Sequence, residues 1–247
     1  MSSNRPKLKG VADIVFLIDV TGSMDPCIDA LRRNLNSFIK IMTEGDGSAN
    51  STGALVSDWR IKVVGYRDYV DQPSNWLVDH PFSSDINEVE TQIRNLEASG
   101  GGDEPESLLD ALHHVATIGE IENGEETDPA RWRGRSQASR LVAIFTDASF
   151  HPTMSYPGGT GGTIKDVRNA IHQGKIIVEA FAPSMDCYTC DLASMDKTNI
   201  QDYEFDESDI RGAANAMAEF TADRKQFGHL MEMLAKTVSM SAVVEEL

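Results

Sequence analysis

The 247-residue chain has few cysteines, few basic residues and no long uninterrupted apolar run. Three cysteines are too few for a disulfide framework and one would be left over if two paired, so we predict a reducing, cytoplasmic compartment. The 22 Lys and Arg against 39 Asp and Glu give a formal net charge of -17, which argues against a nucleic-acid partner. No apolar run reaches the length of a transmembrane helix, so we expect no membrane association.

The first ten residues are basic, with Arg5, Lys7 and Lys9 ahead of an apolar stretch. Asp13 and Asp19 interrupt that stretch and no small-residue cleavage site follows, which is not typical of a signal peptide. We therefore interpret this segment as a leader that enters the first core strand.

An apolar fraction of 40% is sufficient for a core, and no internal repeat or second domain is evident. We predict a leader at 1–10 and a single domain at 11–247. Within that domain, 119–137 is charged and lacks periodicity, which predicts a surface excursion, and 186–223 reads as irregular.

Apolar runs of strand length alternate with segments whose apolar residues follow helical spacing. This alternation predicts an α/β fold of the Rossmann-like, three-layer α/β/α type, with a mostly parallel sheet and one antiparallel edge strand. The predicted strands are Val11–Val20, Trp59–Tyr66, Trp76–Phe82, Leu141–Phe145, Ile176–Ala182 and an edge strand at Tyr203–Phe205. The predicted helices are Met24–Glu44, a capped helix from Ser84 to Leu96, Glu106–Thr117, Ile164–His172, Ile210–Phe220 and a closing helix around Phe227–Val238.

Oxygen-bearing side chains follow the predicted strand ends. Asp19 ends the first strand and Thr21 and Ser23 come directly after it, Asp103 follows three glycines, and Asp147 follows the Leu141 strand. Carboxylates and hydroxyls without thiolate or imidazole favour Mg²⁺, with Mn²⁺ or Ca²⁺ as alternatives, and disfavour zinc. Read without Asp103 and Asp147, the first loop could equally be a helix cap.

Three segments together resemble the metal-ion-dependent adhesion site of von Willebrand factor type A domains. They are Asp19-Val20-Thr21-Gly22-Ser23, the glycine-rich loop ending at Asp103, and Phe145-Thr146-Asp147. The segments Tyr66-Arg67-Asp68 and Gly100-Gly101-Gly102-Asp103-Glu104-Pro105-Glu106, with His151 near Asp147, resemble more closely the intracellular bacterial and eukaryotic branch that includes the alpha-kinase-associated domains.

The resemblance implies that Thr21 and Ser23 ligate the ion directly and that Asp19 and Asp147 coordinate it directly or through waters. A carboxylate of a partner protein then fills an open coordination position, so the implied function is docking of a protein partner at the metal face, without turnover. Adhesive members usually carry threonine where this chain has Asp103. The additional carboxylate predicts a more tightly held, partly structural and less electrophilic ion, and as an alternative a partner that presents a neutral or basic group beside it.

Asp68, Glu104 and His151 are candidates to line the ligand cleft. For Asp68 the simpler interpretation is that it ties down a loop or pairs with Arg67, and for His151 it is loop packing. The Cys187-x-x-Cys190 motif lacks a second pair or a histidine cluster, so it stays unassigned.

Two other functions compete with docking. Asp19-Val20-Thr21-Gly22-Ser23 also resembles the nucleophile loop of haloacid-dehalogenase-like phosphotransferases, in which Asp19 would attack phosphorus beside Mg²⁺. That chemistry needs a lysine and a later acidic pair, for which Lys165 and a single Asp147 are poor matches. The third alternative is a degenerate type A domain that makes contacts without an ion, for instance through the acidic stretch 120–128.

Overall fold

The computed structural model describes residues 10–45, 56–101, 104–122 and 124–242. Most of the predicted leader, and the candidate ligand Asp103, lie outside the described residues. No helix among those described is long and apolar enough to cross a bilayer.

A six-stranded sheet in the order β3-β2-β1-β4-β5-β6 forms the middle layer. The strands are β1 Gly10–Asp19, β2 Val56–Tyr66, β3 Leu77–Asp79, β4 Ser139–Phe145, β5 Ile176–Pro183 and β6 Thr198–Tyr203. All neighbouring pairs are parallel except β2 with β3 at one edge. The predicted α/β class, with its antiparallel edge strand, is confirmed.

Six α-helices among the described residues cover the two faces of the sheet. They are α1 Asp25–Glu44, α2 Ile86–Arg94, α3 Leu108–Thr117, α4 Ile164–Gly174, α5 Gly212–Ala222 and α6 Arg224–Ser241. Helices α1, α2, α5 and α6 pack on one face and α3 and α4 on the other, each over its own apolar core.

Alternate side chains of β1 enter the two cores, as expected for a strand covered on both faces. Phe16 and Ile18 belong to the core beneath α1, and Val15 and Leu17 to the core beneath α3. The central strand is therefore buried from Ala12 to Asp19, its last residue.

Some predicted boundaries are wrong for local reasons. The edge strand β6 lies at Thr198–Tyr203 and not at Tyr203–Phe205, because its exposed positions are polar and hide it from a search for apolar runs. Helix α2 is capped by Asp85, which accepts a hydrogen bond from the Asn87 amide, and not by Ser84. Helix α5 begins at Gly212, two residues after Ile210.

Two regions predicted to be irregular or solvated contain ordered structure. The 186–223 region holds a π-helical turn at Cys187–Asp191 as well as β6 and α5. In the 119–137 excursion, Trp132 is only 1% exposed and its indole Nε1 donates to the Val115 carbonyl. The excursion is therefore attached to the core through Trp132.

Candidate metal centre

The candidate site lies where β1 and β4, neighbours in the sheet, end side by side. Because parallel strands share one carboxyl edge, Asp19 at the end of β1 and Asp147 just after β4 come together. Both residues are buried, with 0% and 4% exposure respectively. Two of the predicted ligands thus meet at this edge.

Asp19 lies beneath the loop that follows it and holds that loop in place. Its Oδ1 accepts hydrogen bonds from the Thr21 amide (2.9 Å) and the Thr21 hydroxyl (2.7 Å), and its Oδ2 accepts one from the Thr146 hydroxyl (3.0 Å). The Thr21 and Ser23 hydroxyls are 3.4 Å apart. Asp19 therefore orients the hydroxyls, and through Thr146 it connects the β1 loop to the β4 loop.

The helix-cap interpretation of Thr21 and Ser23 is wrong. Thr21 precedes the 3₁₀ turn Gly22–Met24 but its side chain makes no capping hydrogen bond. The N-cap of α1 is Met24, which has no capping side chain either. The two hydroxyls line a cleft instead.

This cleft, which we call the metal cleft, has a volume of about 660 Å³. Its acidic lining side chains are Asp147, Glu104 and Glu106, and Arg211 also lines it. Gly100 and Gly101 form another wall, and the Gly100 carbonyl accepts a hydrogen bond from the Gly22 amide at 3.0 Å.

A divalent cation fits this arrangement chemically. The Oδ2 atom of Asp147 is buried and has no hydrogen-bond partner, and the same is true of Glu106 Oε2. Burial, followed by repulsion from Asp147, raises the pKa of Asp19 to about 7, and burial raises the pKa of Asp147 as well. Desolvated carboxylates of this kind are stabilised by a nearby positive charge, which a hard cation would supply.

The described residues contain no ready-made group of three or more His, Cys, Asp and Glu side chains with metal-binding spacing. A site built here therefore depends on the hydroxyls of Thr21 and Ser23 in addition to carboxylates. Cys187 and Cys190 are free thiols, the first half-buried and the second exposed.

Of the three residues predicted to line the ligand cleft, one lines it and two do not. Glu104 lines the cleft, and its Oε2 accepts hydrogen bonds from the Ser149 amide (2.9 Å) and hydroxyl (2.8 Å). Asp68 and His151 do not line it but bond to each other, with His151 Nε2 3.1 Å from Asp68 Oδ1. Asp68 also accepts a hydrogen bond from the Ser107 hydroxyl at 2.9 Å, so its carboxylate connects the loop after β2 to the segments that contain Ser107 and His151.

The suggested pairing of Asp68 with Arg67 is wrong, because the Arg67 guanidinium bonds to backbone carbonyls. Its Nε donates to Ser99 (3.1 Å), its Nη1 to Asn75 (3.1 Å) and its Nη2 to Glu97 (2.5 Å). The buried Arg67 side chain thus stabilises the segment that leads into the glycine loop.

Glu106 is the acidic residue that sequence reasoning missed. We predicted that it begins a helix, but it forms an isolated parallel bridge with Phe150, and α3 begins at Leu108. Glu106 is 3% exposed, and burial together with repulsion from Asp19 raises its pKa to about 9. Its position two residues after Glu104 in the glycine-loop motif was the available signal, and it adds a third acidic group to the cleft.

No protein-family model matches the chain. The alpha-protein kinase vwkA of Dictyostelium discoideum is 27% identical over 159 residues, which are 62% of this chain and 22% of the kinase. A putative ariadne-like RING finger protein of Acanthamoeba polyphaga mimivirus is 31% identical over 114 residues, 44% of this chain and 10% of that protein. The chain thus spans less than a quarter of either relative.

Among solved structures, proximal thread matrix protein 1 from the mussel byssus is similar with a TM-score of 0.53. The similarity covers 94% of this chain and 47% of the byssus protein at 13% sequence identity. At that identity the two share a fold.

Proposed function

We propose that this chain is a metal-dependent protein-docking module of the von Willebrand factor type A class and not an enzyme. Thr21, Ser23 and Asp147 would hold Mg²⁺, or alternatively Mn²⁺ or Ca²⁺, and Asp19 would keep Thr21 oriented. The observation that carries the proposal is the buried Asp147 Oδ2 atom without a hydrogen-bond partner in a cleft lined by two hydroxyls.

When bound, the ion supplies an electrophilic position that a carboxylate of a partner protein can occupy. The protein's own side chains prepare that position. Asp19 fixes the Thr21 hydroxyl, and Glu104 holds the Ser149 amide and hydroxyl next to the Asp147 loop. The site is therefore organised by hydrogen bonds between three loops.

The comparisons support a module. The chain matches parts of two much longer proteins, one named as a kinase and one as a RING finger protein. A domain that recurs in proteins of different description is expected to contribute recognition, while the chemistry of each protein is determined by its other parts.

Titration calorimetry with MgCl₂ and MnCl₂ tests the metal site. We expect the wild-type protein to bind one ion, and Asp19→Ala and Asp147→Ala to abolish binding, because Asp147 would contact the ion and Asp19 orients the Thr21 hydroxyl that would ligate it. Asp196→Ala is the matched control, since Asp196 is exposed and lies ahead of β6, away from the cleft. A wild-type protein that binds neither ion would leave only docking without a metal.

The competing phosphotransferase function is less well supported. Both carboxylate oxygens of Asp19 accept hydrogen bonds from Thr21 and Thr146, and the residue is 0% exposed, so neither oxygen is free to attack phosphorus. The described lining of the cleft contains Arg211 and no lysine. Hydrolysis of p-nitrophenyl phosphate with Mg²⁺, lost in Asp19→Asn, would overturn the docking proposal.

A further inference from the structure

Exposed apolar side chains flank the metal cleft. Three large ones are exposed in the part of the chain that the structure describes: Val70, Ile210 and Met240. Ile210 lines the cleft and is 99% exposed. Val70, 57% exposed, belongs to the loop after β2, in which Gln72 lies against Gly100 of the cleft wall.

Val70 and Ile210 lie on opposite sides of β1. The Val70 loop follows β2 and the Ile210 loop follows β6, and these strands are on either side of β1 in the sheet. Both loops leave the carboxyl edge, where the metal cleft is. Met240 is 70% exposed but lines a different cleft, beside the beginnings of β1 and β4.

Hydrogen bonds to two aspartate side chains stabilise the loop that contains Ile210. The Asp206 carboxylate accepts hydrogen bonds from the Ser208 amide (2.9 Å) and hydroxyl (2.6 Å). The Asp209 carboxylate accepts one from the Arg211 amide at 3.0 Å. Ile210 is thus presented by an organised loop, which reduces the conformational entropy lost when a partner binds.

Arg211 adds a positive charge to the same surface. It lines the cleft, and its guanidinium forms no ion pair within the described residues. In a chain with a net charge of -17, an unpaired arginine beside an acidic cleft is complementary to an anionic group from outside.

We propose that the docking partner presents a carboxylate flanked by apolar side chains. The carboxylate would contact the ion and Arg211, while the apolar groups would cover Ile210 and Val70. Ile210 and Val70, 99% and 57% exposed, are the large exposed apolar side chains of the described residues at this edge of the sheet, so they are the ones such a partner can cover. This inference rests on the proposed metal-dependent docking function.

Selection from a random dodecapeptide display library, in MgCl₂ and in EDTA, tests the partner's chemistry. We expect the peptides enriched only with Mg²⁺ to carry one Asp or Glu next to an apolar residue. Their affinity should be about tenfold weaker for Ile210→Ser and reduced to a smaller extent for Val70→Ser. Met240→Ser is the matched control and should bind them like wild type.

The possible outcomes distinguish a failure of this inference from a failure of the proposed metal-dependent docking function. Mg²⁺-dependent peptides that lack apolar residues, or that bind Ile210→Ser as tightly as wild type, overturn the inference and leave the metal-dependent docking function standing. The absence of any Mg²⁺-dependent peptide overturns both. Titration of Ile210→Ser with Mg²⁺ should give the wild-type affinity, which shows that a loss of peptide binding comes from the surface and not from the ion.

Discussion

Gly101 shows how closely the metal cleft is packed around Thr21. The residue has a φ of +71°, and a Cβ atom placed on it would lie 2.7 Å from Thr21 Cβ. Glycine is therefore required at this position both by the backbone conformation and by the neighbouring side chain.

We predict that Gly101→Ala weakens Mg²⁺ binding by about tenfold or more, because the added methyl group displaces the Thr21 hydroxyl. Gly161→Ala is the control: it has a φ of +79° and nothing within 4 Å of the added Cβ. Both variants should lose about 1 kcal/mol of stability from backbone strain, and Gly101→Ala should lose more because its Cβ also meets Thr21. Equal Mg²⁺ affinities of the two variants in calorimetry would show that Thr21 is not a ligand.

At the scale of secondary structure, the segment between α2 and α3 is held by one arginine. Arg67 follows β2, is 2% exposed, and donates to the carbonyls of Asn75, Glu97 and Ser99. Its guanidinium thus joins the β2–β3 connection to the segment that enters the glycine loop at Gly100.

Arg67→Lys should destabilise the protein by about 2–4 kcal/mol, because one ammonium group cannot reach three carbonyls and leaves some of them buried and unpaired. Chemical denaturation measures this loss. Arg32→Lys provides the comparison, since Arg32 makes an exposed ion pair with Asp29 at 2.9 Å and should change stability by less than about 1 kcal/mol. A similarly small effect at Arg67 would contradict its bracing role.

Elements whose burial follows a clear period could be predicted from the sequence. β1 and α1 are examples, because their apolar positions, apart from half-buried Val11, face a core. Edge strand β6 could not, since half-exposed Thr198 and exposed Asn199 and Gln201 are polar and carry no apolar period. The predicted helix Ile210–Phe220 begins two residues too early, and Ile210 is 99% exposed on the loop before α5.

The candidate site, like the fold, was only partly predictable from the sequence. Strand ends located Asp19 and Asp147, because the residue after an apolar run is read directly from the sequence. Glu106 was missed because its burial comes from the distant Phe150 segment and not from a local pattern. Contacts between loops that are far apart in sequence are what the sequence pattern does not reveal.

At the scale of the whole molecule, a second buried aspartate lies at the other end of β1. Asp13 is 0% exposed and accepts hydrogen bonds from Arg60 Nη2 (2.6 Å) and Arg133 Nε (2.7 Å). Arg60 also donates to the carbonyls of Asp128 and Arg131, so this charge cluster holds the 119–137 excursion against the sheet.

Asp13→Ala should destabilise the protein by about 3–5 kcal/mol, because the buried Arg60 guanidinium loses its carboxylate partner and the largely buried Arg133 keeps only the exposed Asp58. Asp58→Ala removes an exposed carboxylate that pairs with the same Arg133 at 2.8 Å and should cost at most about 1 kcal/mol. Urea denaturation measures both. Calorimetry under folding conditions should show unchanged Mg²⁺ affinity for Asp13→Ala, and a large change would mean that the two ends of the molecule are coupled.

The strand β1 thus has a buried aspartate near each end, roughly 20 Å apart at 3.3 Å per residue. Arginines of the chain form ion pairs with Asp13, whereas Asp19 accepts hydrogen bonds from Thr21 and Thr146 and experiences repulsion from Asp147 and Glu106. Local opening at the Asp19 end should therefore depend on the ionic environment, and opening at the Asp13 end should not. In hydrogen exchange we expect Mg²⁺ to slow the amides of Val20, Thr21 and Gly22, and to leave the amides around Asp13 exchanging at the same rate with or without the ion.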